Sequence, residues 1–101
     1  MRPVLVCDLT SAARALLLVK PDKWIELAEL LLKNADFGDR YTRRFGHAHA
    51  DFGDGTLSAA ARKRPLAKEP TLDDFIYCEC LSVVVRQLMK RRTKADDNVK
   101  T

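Results

Sequence analysis

The residues of this 101-residue chain best suited to metal chemistry lie in one segment, His47-Ala48-His49-Ala50-Asp51, with Asp54 close behind. The chain has no other histidine. In an extended loop, alternate side chains point the same way, so both imidazoles and the Asp51 carboxylate would share one side. Two imidazoles and a carboxylate suit zinc or another transition metal, and an open coordination position would allow chemistry through a bound water. The segment therefore predicts a metal site of His47, His49, Asp51 and Asp54.

The same segment also has a structural explanation. Gly53 and Gly55 alternate with acidic residues, a composition typical of tight turns, and Asp54 or Thr56 could cap a following helix. No HExxH helix and no pair of CxxC motifs accompanies the histidines. We therefore expect a turn structure and no cofactor, and a transition metal is the alternative.

Basic side chains form the second candidate site. The chain carries 18 Lys+Arg against 14 Asp+Glu, a formal net charge of +4, and both halves share the excess. Side chains that converged on one face could contact phosphates, but no residues at base-reading spacing stand out. We expect solvated helix ends and keep nucleic-acid binding as an alternative. The residues concerned are Arg62, Lys63, Arg64, Arg86, Lys90, Arg91 and Arg92.

The cysteines and the amino-terminal segment indicate the cellular compartment. Cys7, Cys78 and Cys80 make an odd number of thiols, and Asp8 interrupts the apolar run that a signal peptide would need. These features predict reduced thiols in the cytoplasm. No stretch approaches the roughly 18 apolar residues of a membrane helix. Because residues two apart on a helix point about 200° apart, Cys78 and Cys80 are predicted to be packing residues.

Hydrophobic periodicity predicts the elements that position these residues. Helices are expected over residues 9–19, 21–44, 56–64 and 71–92. Residues 3–7 fit either a short strand or a turn before the first helix. Gly38 lies inside the long second helix and indicates a kink or the close approach of a neighbouring helix. Residues 1–92 are predicted to form one helical domain, followed by a disordered polar tail over 93–101.

The last helix is apolar on nearly every side, which is more surface than the other helices could cover. We therefore expect an all-α fold, a small four-helix bundle-like domain with a long second helix and a hydrophobic C-terminal helix. The expected function is a cytosolic protein-interaction or adaptor module, a homodimer or bound to another protein, with no membrane contact and no catalysis. The predicted interface consists of Leu81, Val84, Val85 and Leu88.

Two segments carry a resemblance to a known group of proteins. They are Arg2-Pro3-Val4-Leu5-Val6-Cys7-Asp8-Leu9-Thr10 before an Ala/Leu helix, and Phe52-Gly53-Asp54-Gly55-Thr56-Leu57 before an Ala run. The chain up to about Arg92 resembles a group of short bacterial proteins of unassigned function. The resemblance implies a small bacterial cytosolic protein, and it implies no activity, cofactor or partner.

Overall fold

The computed structural model describes the backbone of residues 1–100 and the side chains of residues 1–92. The chain forms four α-helices, which confirms the predicted all-α fold. They are α1 (Val6–Leu16), α2 (Trp24–Phe45), α3 (Leu57–Ala61) and α4 (Phe75–Lys100), with a 3-10 turn over Pro21–Lys23. The helix α1 packs against the other three helices, and α3 and α4 each pack on α1 and α2. Within residues 1–100, the β-structure is one isolated bridge between His49 and Gly53.

The core lies where one face of each helix meets the others. Small side chains of α1 let its neighbours come close, and larger side chains of α2 and α4 fill the space between them. The buried residues of α1 are Ala12, Ala13, Ala15 and Leu16, those of α2 include Trp24, Leu27, Ala28, Leu31, Leu32 and Ala35, and those of α4 include Tyr77, Cys80 and Val84. None of the helices within the described residues has the length and apolar character that crossing a membrane requires.

The first helix begins three residues earlier than predicted. Val6 and Cys7 already belong to α1, so the strand alternative for residues 3–7 is wrong. The reason is Asp8, whose carboxylate accepts the Leu5 backbone N–H at 2.8 Å and so stabilises a helix start ahead of it. At the other end α1 stops at Leu16.

The face of α4 that the chain buries overlaps the predicted interface. Val84 is only 1% exposed and belongs to the core, so its assignment to an outer interface is wrong. Leu81 and Leu88 pack against that core, and only Val85, at 39% exposed, lies clearly on the surface. The disordered tail predicted for 93–101 concerns residues whose side chains lie outside the described part of the chain.

Candidate functional site

The loop between α2 and α3 folds back onto α2. Gly46 ends α2 in the left-handed conformation, with φ of 75°, and its N–H donates to the Thr42 carbonyl at 2.8 Å. His49 and Gly53 then exchange two backbone hydrogen bonds of 2.9 and 3.0 Å, which close a tight turn. The predicted turn is therefore present, and it places His47 and His49 next to the end of α2.

Two glycines let this loop touch the α2 backbone. A Cβ on Gly38 would lie 2.7 Å from the Phe52 carbonyl oxygen, and a Cβ on Gly55 would lie 2.6 Å from the Asp39 Cβ. Gly55 also has a φ of +105°, which disfavours any side chain. The prediction of a neighbouring helix at Gly38 is wrong, because the element that approaches Gly38 closely is this loop.

His49 is held by backbone hydrogen bonds and by aromatic packing. Its Nδ1 accepts the N–H groups of Asp51 at 2.9 Å and Phe52 at 3.2 Å. Its ring stacks on Phe52, with centroids 4.7 Å apart, and meets the rings of Phe37 and Tyr41 edge-on. Because Nδ1 accepts these two hydrogen bonds, the ring proton of His49 lies on Nε2. Nε2 could offer a lone pair to a metal only if that proton moved to Nδ1, which would remove both hydrogen bonds.

The predicted metal ligands do not converge. His47 and His49 both pack against the Tyr41 ring, with centroids 5.6 and 4.6 Å away. Hydrogen bonds from the Thr56 N–H and hydroxyl hold Asp54 Oδ1 and lower the pKa of that carboxyl, although partial burial opposes the shift. Within the side chains of residues 1–92, no group of three or more His, Cys, Asp or Glu is placed to hold a metal ion. The metal site of His47, His49, Asp51 and Asp54 stays a prediction that this geometry does not support.

One end of the molecule is held by a network of ion pairs. The Met1 amino group lies 2.9 Å from Asp36 Oδ1 and 3.2 Å from Asp39 Oδ2, and Arg91 pairs with Asp36. Burial raises the pKa of Asp36, but the hydrogen bonds from Arg91 and the Met1 amino group outweigh burial, so the pKa is lowered. Arg91 therefore ties α4 to α2.

An open cavity of about 440 Å³ borders this network on the surface of α2. Its lining mixes aromatic, basic and acidic side chains and is wide open to solvent. The lining residues are Lys33, Asn34, Asp36, Phe37, Arg40 and Phe52. Of these residues, Asp36 already forms ion pairs with the Met1 amino group and Arg91.

The basic residues of the predicted nucleic-acid site lie on two elements, one set after α3 and the other on α4. Arg62 follows α3 and donates from Nε to the Ser58 hydroxyl at 3.2 Å, and Lys63 and Arg64 are exposed beside it. Arg86, Lys90 and Arg92 are exposed on α4. The main contacts of α3 and α4 are with α1 and α2 and not with each other. Nucleic-acid binding therefore stays a prediction.

The best-formed exposed feature is an apolar stripe along α4, which we name the α4 outer face. Phe75 is 73% exposed and Met89 is 63% exposed, although both belong to a helix that otherwise packs into the core. The stripe advances by alternating steps of three and four residues, so its members share one side of the helix. Its members are Phe75, Cys78, Ser82, Val85 and Met89.

The sequence predicts an excess of apolar residues on α4, but most of the predicted interface lies on the side of α4 that packs into the core. Leu81, Val84 and Leu88 look like the stronger interface because they are larger or more apolar than Cys78 and Ser82. The chain uses those stronger residues for its own core. The spacing from Phe75 to Met89 was visible in the sequence, and only the packing of α1 and α2 shows that this stripe is the exposed one.

Fold and surface together define a small all-α protein with an apolar stripe exposed along α4. The chain belongs to the family described as Domain of unknown function (DUF7742), whose model matches residues 2–88. The resemblance to an uncharacterised family is thereby confirmed. No curated protein and no solved structure matches the chain.

Proposed function

We propose that this protein is a small helical interaction module that forms a homodimer through the α4 outer face. The single observation that carries the proposal is the exposure of Phe75, Val85 and Met89 at helical spacing on a helix whose opposite side is buried. Contiguous exposed apolar side chains of this kind are typical of contact surfaces between proteins. The module acts by binding, with no catalytic step.

The choice of a second copy as the occupant rests on charge. The α4 outer face is flanked by charges of both signs, among them Glu79 and Arg86, which are both exposed. A surface that carries both charges beside an apolar stripe can be complementary to itself, as a two-fold symmetric interface requires. A partner of a single charge would leave one of these two residues facing a like charge.

Light scattering coupled to size exclusion tests the proposal with a matched pair of variants. Phe75→Glu places a charge within the α4 outer face, and we expect it to convert a dimer into a monomer. Phe45→Glu changes another exposed aromatic residue, which is 53% exposed on α2, and should leave the dimer intact. Circular dichroism should show equal helix content for both variants, because neither residue is buried.

Two results would contradict the homodimer. One is a wild-type chain with the mass of a single copy at every concentration up to the high micromolar range. The other is a dimer that Phe75→Glu and Phe45→Glu affect equally, since the contact would then lie elsewhere on the molecule.

A further inference from the structure

We infer that the two copies pair in antiparallel orientation, with their α4 helices crossing at Ser82 and Glu79 of each copy facing Arg86 of the partner subunit. This inference rests on the proposed homodimer and adds its orientation and register. Both follow from the symmetry of the α4 outer face about its central residue.

The stripe is symmetric in position about Ser82. Phe75 and Met89 each lie seven residues from Ser82, in opposite directions along the helix. A two-fold axis through Ser82 therefore places Phe75 beside Met89 of the partner subunit, a favourable contact between a thioether and an aromatic ring. The same axis places Cys78 beside Val85 of the partner subunit.

The charges flanking the stripe obey the same symmetry. Glu79 lies three residues before Ser82 and Arg86 lies four residues after it. The two-fold axis therefore brings Glu79 of one copy opposite Arg86 of the partner subunit. Within one copy the two residues lie two helical turns apart and therefore on the same side of α4. Neither takes part in an ion pair among the side chains of residues 1–92. An antiparallel dimer forms this ion pair twice.

A parallel pair lacks this complementarity. Each residue would then lie at the same position along the helix axis as the same residue of the partner subunit. Glu79 would share its position with Glu79 of the partner subunit, and Cys78 with Cys78 of the partner subunit. Glu79 therefore lies seven residues along the axis from Arg86 of the partner subunit, and the ion pair does not form. The arrangement of Glu79 and Arg86 therefore favours the antiparallel pair.

The size of Ser82 suits the crossing point. Helix axes that pack through side chains lie about 8–10 Å apart, and the distance depends on the side chains at the contact. Ser82 is small and half-buried, and the bulkier Phe75 and Met89 lie toward the two ends of the stripe. A small residue at the centre lets the two helices approach closely while the larger side chains pack on either side.

Charge reversal tests the pairing of Glu79 with Arg86. Glu79→Arg and Arg86→Glu should each raise the dissociation constant of the dimer about tenfold, because each variant faces like charges twice. An equimolar mixture of the two variants should recover wild-type affinity as a heterodimer, and so should the double variant. Lys63→Glu reverses an exposed charge on another element and should change nothing.

Disulfide trapping tests the orientation. In a chain that carries Cys7→Ser, Cys78→Ser and Ser82→Cys, mild oxidation should cross-link two copies through position 82. Burial raises the pKa of Cys80 to about 11, so that thiol stays protonated and unreactive. A second chain with Cys7→Ser alone keeps Cys78 and should not cross-link, because the antiparallel axis holds the two Cys78 residues apart.

The outcomes separate this inference from the proposed function. A dimer that cross-links through Cys78 is parallel, because only the parallel pair brings the two Cys78 residues together, and this result overturns the inference and leaves the homodimer standing. A mixture of Glu79→Arg and Arg86→Glu that fails to recover affinity also overturns the inference. A wild-type chain that stays monomeric overturns both.

Discussion

Nδ1 of His49 accepts two backbone N–H groups, and this use of a reactive side chain for local structure recurs through the molecule. Asp54 accepts hydrogen bonds from Thr56, and the Thr56 hydroxyl in turn accepts the Ala59 N–H at the start of α3. Sequence reasoning identified both the chemical and the structural role for this segment. Residue types alone could not decide between them, because a turn and a metal site call for the same polar residues.

Tyr77 carries a buried hydroxyl group that can be tested by its removal. The side chain is 1% exposed, burial raises its pKa, and its hydroxyl oxygen has no hydrogen-bond partner within the described residues. Tyr77→Phe keeps the ring and removes the unsatisfied group, so we expect the free energy of unfolding to stay equal or rise by about 1 kcal/mol. Urea denaturation measures this. Tyr77→Ala, which leaves a cavity, should lose about 3–5 kcal/mol. A clear loss of stability in Tyr77→Phe would show that the hydroxyl has a partner.

Gly55 allows a test of the loop contact with α2. Gly55→Ala combines a positive φ with a Cβ 2.6 Å from the Asp39 Cβ, and we expect a loss of about 2–3 kcal/mol in the free energy of unfolding. Gly46→Ala is the matched control, since Gly46 also has a positive φ, 75°, but a Cβ there meets nothing within 4 Å. It should lose only about 1 kcal/mol. Equal losses in the two variants would mean that the contact with Asp39 contributes nothing.

At the scale of elements, one buried carboxylate organises the starts of two helices. Asp8 accepts the Leu5 N–H with Oδ2 and the Ser58 N–H with Oδ1, at 2.8 and 2.9 Å. The Asp8 carboxylate therefore accepts hydrogen bonds from the N-terminal ends of both α1 and α3. A hydrogen bond between the Ser11 and Ser58 hydroxyls lies beside it. The sequence showed that Asp8 suits a helix start, but the second helix lies 50 residues away and depends on the tertiary fold.

Removal of this carboxylate should weaken both helix starts. We expect Asp8→Ala to lower the free energy of unfolding by about 2–3 kcal/mol, since it leaves two backbone N–H groups without their acceptor. Asp22→Ala removes an exposed carboxylate from the 3-10 turn and should change stability by less than about 0.5 kcal/mol. Thermal and urea denaturation provide the comparison. Similar stability in the two variants would contradict the shared-cap account.

The contact between α4 and α2 should respond to pH. The pKa of Asp36 is lowered in the folded chain from its ordinary 3.8, so its contribution to stability is present above about pH 4 and is lost as the pH falls through the folded value. Asp36→Asn should therefore be less stable than wild type at pH 7, and the difference should shrink at pH 3. Urea midpoints at the two pH values measure it, with Asp73→Asn as the exposed control. A difference that stays constant or grows at pH 3 would contradict the lowered pKa.

The helices themselves were the most predictable part of the structure. In α2, Trp24, Ala28, Leu31 and Ala35 recur at helical spacing, and all four are buried as that spacing predicts. The side of α4 that becomes core could not be predicted, because Tyr77, Cys80 and Val84 compete with an equally regular stripe that begins at Phe75. Only the surfaces that α1 and α2 present decide which stripe they cover.

At the scale of the whole molecule, the packing of the described helices leaves one side of α4 exposed. The helix α1 contacts the three other helices, and α4 lies on the outside against α1 and α2. Within the described residues no further element reaches the side of α4 that carries Phe75, Val85 and Met89. The fold leaves the α4 outer face exposed to solvent. In the proposed homodimer a second copy of the chain covers this face.

Sedimentation equilibrium of the unmodified chain, over a range from low to high micromolar concentration, tests this claim most directly. For the proposed homodimer we expect a mass that rises from that of one copy to that of two and goes no higher, because a two-fold interface closes on itself. The mass of a single copy at every concentration would contradict the claim. A mass that grows beyond two copies would contradict it as well, since the contact would then not be the closed pairing of two α4 helices.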